Sequence, residues 1–106
     1  MYNDEMFLRI SEIYKVLADP TRLKILFHLR EGEKSVKELI NILKIKQANI
    51  SKHLSVLRNS NIVKARRDKN NVYYSFSDLP LNTMCDIICD YMKERLKKEE
   101  RALGIK

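Results

Sequence analysis

Apolar side chains recur at three- and four-residue steps through Met6, Phe7, Ile10, Ile13, Tyr14 and Leu17, which predicts a first amphipathic helix. Asp19-Pro20 follows as an N-cap and a proline at the first helical position. Leu23, Ile25, Leu26 and Leu29 carry a second helix toward Gly32, a residue suited to a helix end. In Ser35-Val36-Lys37-Glu38 the acid stands three residues after the serine, the spacing of a capping box. Val36, Leu39, Ile40 and Leu43 then make a short third helix. A break over 44–46 leads to a fourth helix at about 47–59, whose apolar seam is Ile50, Leu54 and Leu57.

After Asn59-Ser60-Asn61 the period changes. Ile62-Val63-Lys64-Ala65-Arg66 is β-prone, and Val72-Tyr73-Tyr74-Ser75-Phe76 alternates with period two. Asp68-Lys69-Asn70-Asn71 has the composition of a hairpin tip, so 62–76 reads as one hairpin. From Pro80 onward Leu81, Met84, Cys85, Ile88, Met92 and Leu96 mark a long last helix that runs into a charged tail. The predicted order is ααααββα, a mainly α chain with a small β-hairpin (α+β). Two Gly and two Pro among 106 residues leave little for linkers, so a single domain over 1–106 is expected.

Two short helices joined by about three residues form a helix-turn-helix, in which the second helix enters a DNA major groove. With Ile50, Leu54 and Leu57 facing inward, the fourth helix turns Ala48, Ser51, Lys52, Ser55 and Asn59 outward. These side chains are small or hydrogen-bonding and suit close approach to base edges and phosphates. Gln47 and Asn49 at the amino end can pair bidentately with adenine, and helix-start amides favour an anion. Lys46 stands just before them.

Charge sharpens this picture. Lys44 to Lys69 holds eight Lys/Arg against one acid, Asp68, which is the whole net charge of +7; the remaining thirteen bases and thirteen acids cancel. A cationic block attracts a polyanion because neutralised phosphates release condensed counterions. Within it Arg66, Arg67, Lys69 and Asn70 crowd the hairpin end, where phosphate contact is the expected role. His53, at the edge of the apolar seam, is expected to be half-buried and hydrogen-bonded, and His28 to be structural.

An enzyme is disfavoured. The chain has no Cys-x-x-Cys, glycine-rich phosphate loop, His-Glu-x-x-His or nucleophile elbow. An RNA or nonspecific nucleic-acid binder would present aromatic stacking residues near the cations, and one of Tyr73 and Tyr74 must face inward. The longest apolar runs are too short to span a bilayer, and Asp4 and Glu5 beside Met6 and Phe7 do not suit a secretion signal. A cytoplasmic chain without a membrane partner is therefore expected, in keeping with two cysteines in a reducing compartment.

Leu17-Ala18-Asp19-Pro20-Thr21-Arg22-Leu23-Lys24-Ile25-Leu26 resembles the opening signature of the ArsR family of winged-helix repressors. Gln47 through Arg58 looks like its recognition helix, and Ile62-Val63 through Arg66-Arg67-Asp68 to Val72-Tyr73-Tyr74 like its wing. The resemblance, over about Tyr14 to Phe76, implies a cytosolic homodimer paired through its first and last helices. It implies a repressor of a double-stranded operator, an inverted repeat, released by an effector.

The resemblance is thinner at the effector. Metal-sensing members often carry a Cys-x-Cys motif in the third helix, where this chain reads Val36-Lys37-Glu38-Leu39-Ile40. Zinc-type ligands would fall on Asp78, Pro80, Tyr91 and Glu94, without either imidazole. No cofactor is assigned on this basis. Cys85 and Cys89, four apart on the last helix, stay open to two readings. They could serve a thiophilic metal, metalloid or redox effector, or they could simply pack.

Overall fold

The computed structural model describes residues 2–77 and 80–104. Asn3 caps α1 (Asp4–Leu17) by accepting from the Met6 N–H at 2.9 Å. Asp19 caps α2 (Pro20–Leu29) through the Arg22 N–H at 3.0 Å, with Pro20 in the first turn as expected. A two-residue strand, β1 (Lys34–Ser35), comes next. The capping box then opens α3 (Val36–Leu43): Glu38 N–H donates to Ser35 Oγ at 3.1 Å and Ser35 N–H to Glu38 Oε1 at 2.9 Å. Lys44 takes φ 57 and turns the chain through Ile45 and Lys46 into α4 (Gln47–Asn59).

Asn61 closes α4. With φ 60 it lets the Ile62 N–H reach back to the Leu57 carbonyl at 2.9 Å, and its own N–H meets the Arg58 carbonyl at 3.0 Å. This is the Schellman arrangement, completed by the burial of both Leu57 and Ile62. Strands β2 (Val63–Asp68) and β3 (Asn71–Phe76) form the hairpin, and α5 (Leu81–Ala102) is the last element.

The observed order ααβααββα corrects the predicted ααααββα by one strand. β1 pairs antiparallel with β3, Lys34 against Tyr74 and Ser35 against Tyr73, giving a three-stranded sheet ordered β1-β3-β2. Two residues are too few to show a period of two, and Ser35 registers in sequence only as a helix cap. β2 begins one residue later than the expected boundary at Ile62, and β3 begins one residue earlier than Val72, at Asn71.

Ile25, Leu26, Leu29, Leu39, Ile50, Leu54, Leu57, Ile62, Val63 and Leu81 form the core. It draws on α2, α3, α4 and the sheet, leaving the outer side of α4 to solvent. α1 buries no residue, and α5 buries Leu81 alone.

Candidate nucleic-acid interface

Ile50, Leu54 and Leu57 of α4 are each 0% exposed, so the core occupies the predicted side of the helix. Gln47, Ala48, Asn49, Ser51, Lys52 and Ser55 are all exposed, as is Lys46 before them. Lys46 supplies no side-chain cap to the first turn of α4, and the nearby side chains are polar without being acidic. Such a helix start suits a phosphate oxygen.

A hollow of about 310 Å³ separates α3 and α4 from the hairpin, lined by Lys37, Gln47, Ser51, Asn70, Asn71 and Tyr74 among others. It brings the amino end of α4 together with the hairpin tip. Lys37, Asn71 and Tyr74 are not among the expected contact residues, and Lys37 is the one that adds a charge. Its clue was an exposed base within the capping box, outside the Lys44–Lys69 charge block. At the tip, Lys69 takes φ 58 between the paired Asp68 and Asn71.

The hairpin divides the cations that the sequence groups together. Arg66 lies opposite Tyr73 and Arg67 opposite Val72, so the two arginines stand on opposite faces of the ribbon. The Arg67 face is the one carrying buried Val63 and the core-packed Tyr74 and Phe76. Arg67 extends this face toward the tip, and neither it nor Lys69 has an ion pair among the described residues.

Arg66 has structural partners on the other face. Its guanidinium donates to Glu33 from Nη2 and Nε, lies 4.0 Å from Asp68, and sits 4.7 Å above the Tyr73 ring. The hydrogen bond from Arg66 holds the Glu33 carboxyl below its usual range, against a smaller opposing effect of burial. Glu33 in turn raises Arg66 further. This clasp fixes β2 to the segment leading into β1. Tyr73 is thus the outer tyrosine and Tyr74 the inner one.

His53 is half-buried, its side chain 19% exposed, with Nδ1 at 3.3 Å from Arg22 Nη1 and 3.9 Å from Asp19 Oδ1. The cap from the Arg22 N–H holds the Asp19 carboxyl below its usual range, with burial opposing and His53 and Arg22 adding to the effect. His28 is half-buried against Phe27 in an edge contact at 5.3 Å.

Cys85 and Cys89 are both free and half-buried. Burial pushes the Cys85 thiol up, and Cys89 and Asp86 add to this while Arg30 opposes it. Beside Cys85, Arg30 pairs with Asp86 and lies 4.4 Å above the Phe27 ring, fastening α2 to α5. The described residues contain no group of three His, Cys, Asp or Glu placed to hold a metal. Of the zinc-type positions, Asp78 lies outside the described residues and Pro80 precedes α5. Tyr91 accepts from Arg95 at 3.2 Å, and Glu94 approaches Lys97 at 3.8 Å. No helix among the described residues is long and apolar enough to cross a membrane.

Residues 19–65 match the family described as bacterial regulatory protein, arsR family. A transcriptional repressor SmtB homolog of Synechocystis is 33% identical over 86 residues, covering 81% of this chain and 65% of the relative. An uncharacterized HTH-type transcriptional regulator of Methanocaldococcus jannaschii is 43% identical over 76 residues, covering 70% of this chain and 85% of the relative. The crystal structure of the transcriptional repressor BigR from Xylella fastidiosa superposes with a TM-score of 0.71 at 32% identity, over 83% of this chain and 93% of that one. This chain therefore spans just under two thirds of the Synechocystis relative.

Proposed function

We infer that this chain, which belongs to the arsR family of bacterial regulatory proteins, is a DNA-binding transcriptional repressor working as a homodimer. In this reading α4 enters the major groove with Gln47, Ala48, Asn49, Ser51 and Ser55 toward the bases. Lys46 and Lys52 meet flanking phosphates, and the wing lays Arg67, Lys69 and Asn70 along the backbone. Arg66 acts chiefly by bracing the wing. The observation that carries the reading is the shared hollow, where the uncapped start of α4 and the cationic tip of the hairpin open to the same side. The relatives are regulators rather than enzymes.

The exposed apolar residues of α1 and α5 supply the dimer face. Phe7 (56%), Ile87 (63%), Ile88 (62%) and Leu96 (52%) are too open for a finished surface. A twofold dimer presents two copies of α4, so the operator is an inverted repeat with half-sites about one helical turn apart.

Selection from a random duplex pool tests this. Enrichment of an inverted repeat carrying two chains per duplex is expected. Equal retention of single strands, or no enrichment, would favour a nonspecific nucleic-acid binder instead.

For the effector, Cys85 and Cys89 are the thiols available, and one chain alone brings no group of three His, Cys, Asp or Glu together among the described residues. A thiophilic metal or metalloid would therefore draw further ligands from the second copy. The redox alternative is weakened at Cys85, where burial opposes the thiolate that such chemistry requires.

A further inference from the structure

We propose that Arg22 and His53 are a positioning pair that sets the rotation of α4 about its axis, and that operator affinity falls when His53 takes a proton. The proposal rests on the reading of α4 as the helix that enters the groove.

A helix held by a single apolar seam can roll over its neighbours, and a small roll moves every base-facing side chain. His53 projects about 40–60° around the helix from Leu57 and Ile50, so it flanks the seam and can resist such a roll. Its partner is itself fixed. Arg22 Nε donates to the Val16 carbonyl at 2.6 Å, which satisfies one of the orphan acceptors at the end of α1. The Arg22 backbone N–H is held by Asp19 at 3.0 Å. Arg22 Nη1 then meets His53 Nδ1 at 3.3 Å. One guanidinium thus links the last turn of α1 to the middle of α4, between the dimer face and the DNA face.

Guanidinium has donors only, so this contact requires His53 Nδ1 to be an unprotonated acceptor. A proton there removes the lone pair and sets two cations side by side. Among the described residues, the charged groups within ion-pair or hydrogen-bond distance of the ring are Arg22 and Asp19. The protonated ring turns toward Asp19, whose Oδ1 already caps α2. Both changes loosen the junction of α2 with α4. Histidine is the side-chain type suited to a charge switch near neutral pH, and the chain has two, His53 and His28, so His28 serves as the control.

The test measures affinity for the duplex selected by the wild-type chain, across that pH range and at several salt concentrations. Arg22→Met and His53→Ala should each weaken binding roughly tenfold at pH 7.5, with the salt slope unchanged. The double variant should be no worse than either single one. His53→Asn puts an amide oxygen where Nδ1 stands and cannot be protonated. It should bind within about threefold of wild type, on the same free-energy scale, and lose the decline toward low pH. His28→Gln should keep that decline. Additive losses in the double variant would overturn the proposal, as would a wild-type pH profile in His53→Asn or its loss in His28→Gln. Should the wild-type chain select no duplex at all, the recognition-helix reading fails and this pair with it. Thermal unfolding of each variant identifies any that has lost its fold, and His53→Asn, the mildest change, then decides the matter.

Discussion

Lys44 and Asn61 both sit at positive φ, 57 and 60, just after a helix. Asparagine accepts the left-handed region with little strain, whereas lysine there costs on the order of 1 kcal/mol. Lys44→Gly should therefore raise stability by up to about 1 kcal/mol in urea unfolding. No gain would mean that the turn into α4 is already relaxed. Glu33 gives a second expectation at this scale. Its folded-state carboxyl titrates below the ordinary value of 4.5, because Arg66 donates to it. Its contribution to stability is complete above that ordinary value and is lost as pH falls through the lower folded one. Glu33→Gln should accordingly separate from wild type at neutral pH and converge with it in acid. Parallel curves down to pH 2 would show that the clasp does not hold the wing.

Among the elements, the hairpin shows where sequence stops informing. Alternation in β2 sends Arg66 and Arg67 to opposite faces, a fact contained in the period itself but masked by treating adjacent cations as one cluster. Arg67→Ala should flatten the slope of log affinity against log salt by about one unit. Arg66→Ala should chiefly lower stability and leave that slope nearly intact, and equal slope losses would return Arg66 to the DNA surface. The caps at Asp19 and Ser35 and the seam of α4 were legible because local spacing causes them. β1 was not, because two residues become a strand only when Tyr73 and Tyr74 arrive to pair with them. The Glu33–Arg66 and Arg22–His53 contacts join residues 33 and 31 positions apart, and no short-range pattern marks them.

Seen whole, the chain is stretched: its radius of gyration is 16.2 Å, against about 13 Å for a compact domain of this length. α1 and α5 carry apolar side chains that their own fold does not cover. Ile88→Glu should make the chain monomeric by light scattering and weaken operator binding on the order of a hundredfold, as the two half-sites cease to be held together. A dimer that survives this change would move the pairing face elsewhere. The last helix, 22 residues long and moored by buried Leu81 and the Arg30–Asp86 pair near its start, carries a further consequence. An isolated amphipathic rod is only marginally helical in water, so in a dilute solution its amides should exchange hydrogen quickly and slow down as protein is added. Assembly and the last step of folding then become one event. Occupancy of the operator in a sparse cell would rise with the square of the number of copies made, so that silencing responds more than proportionally to synthesis rate.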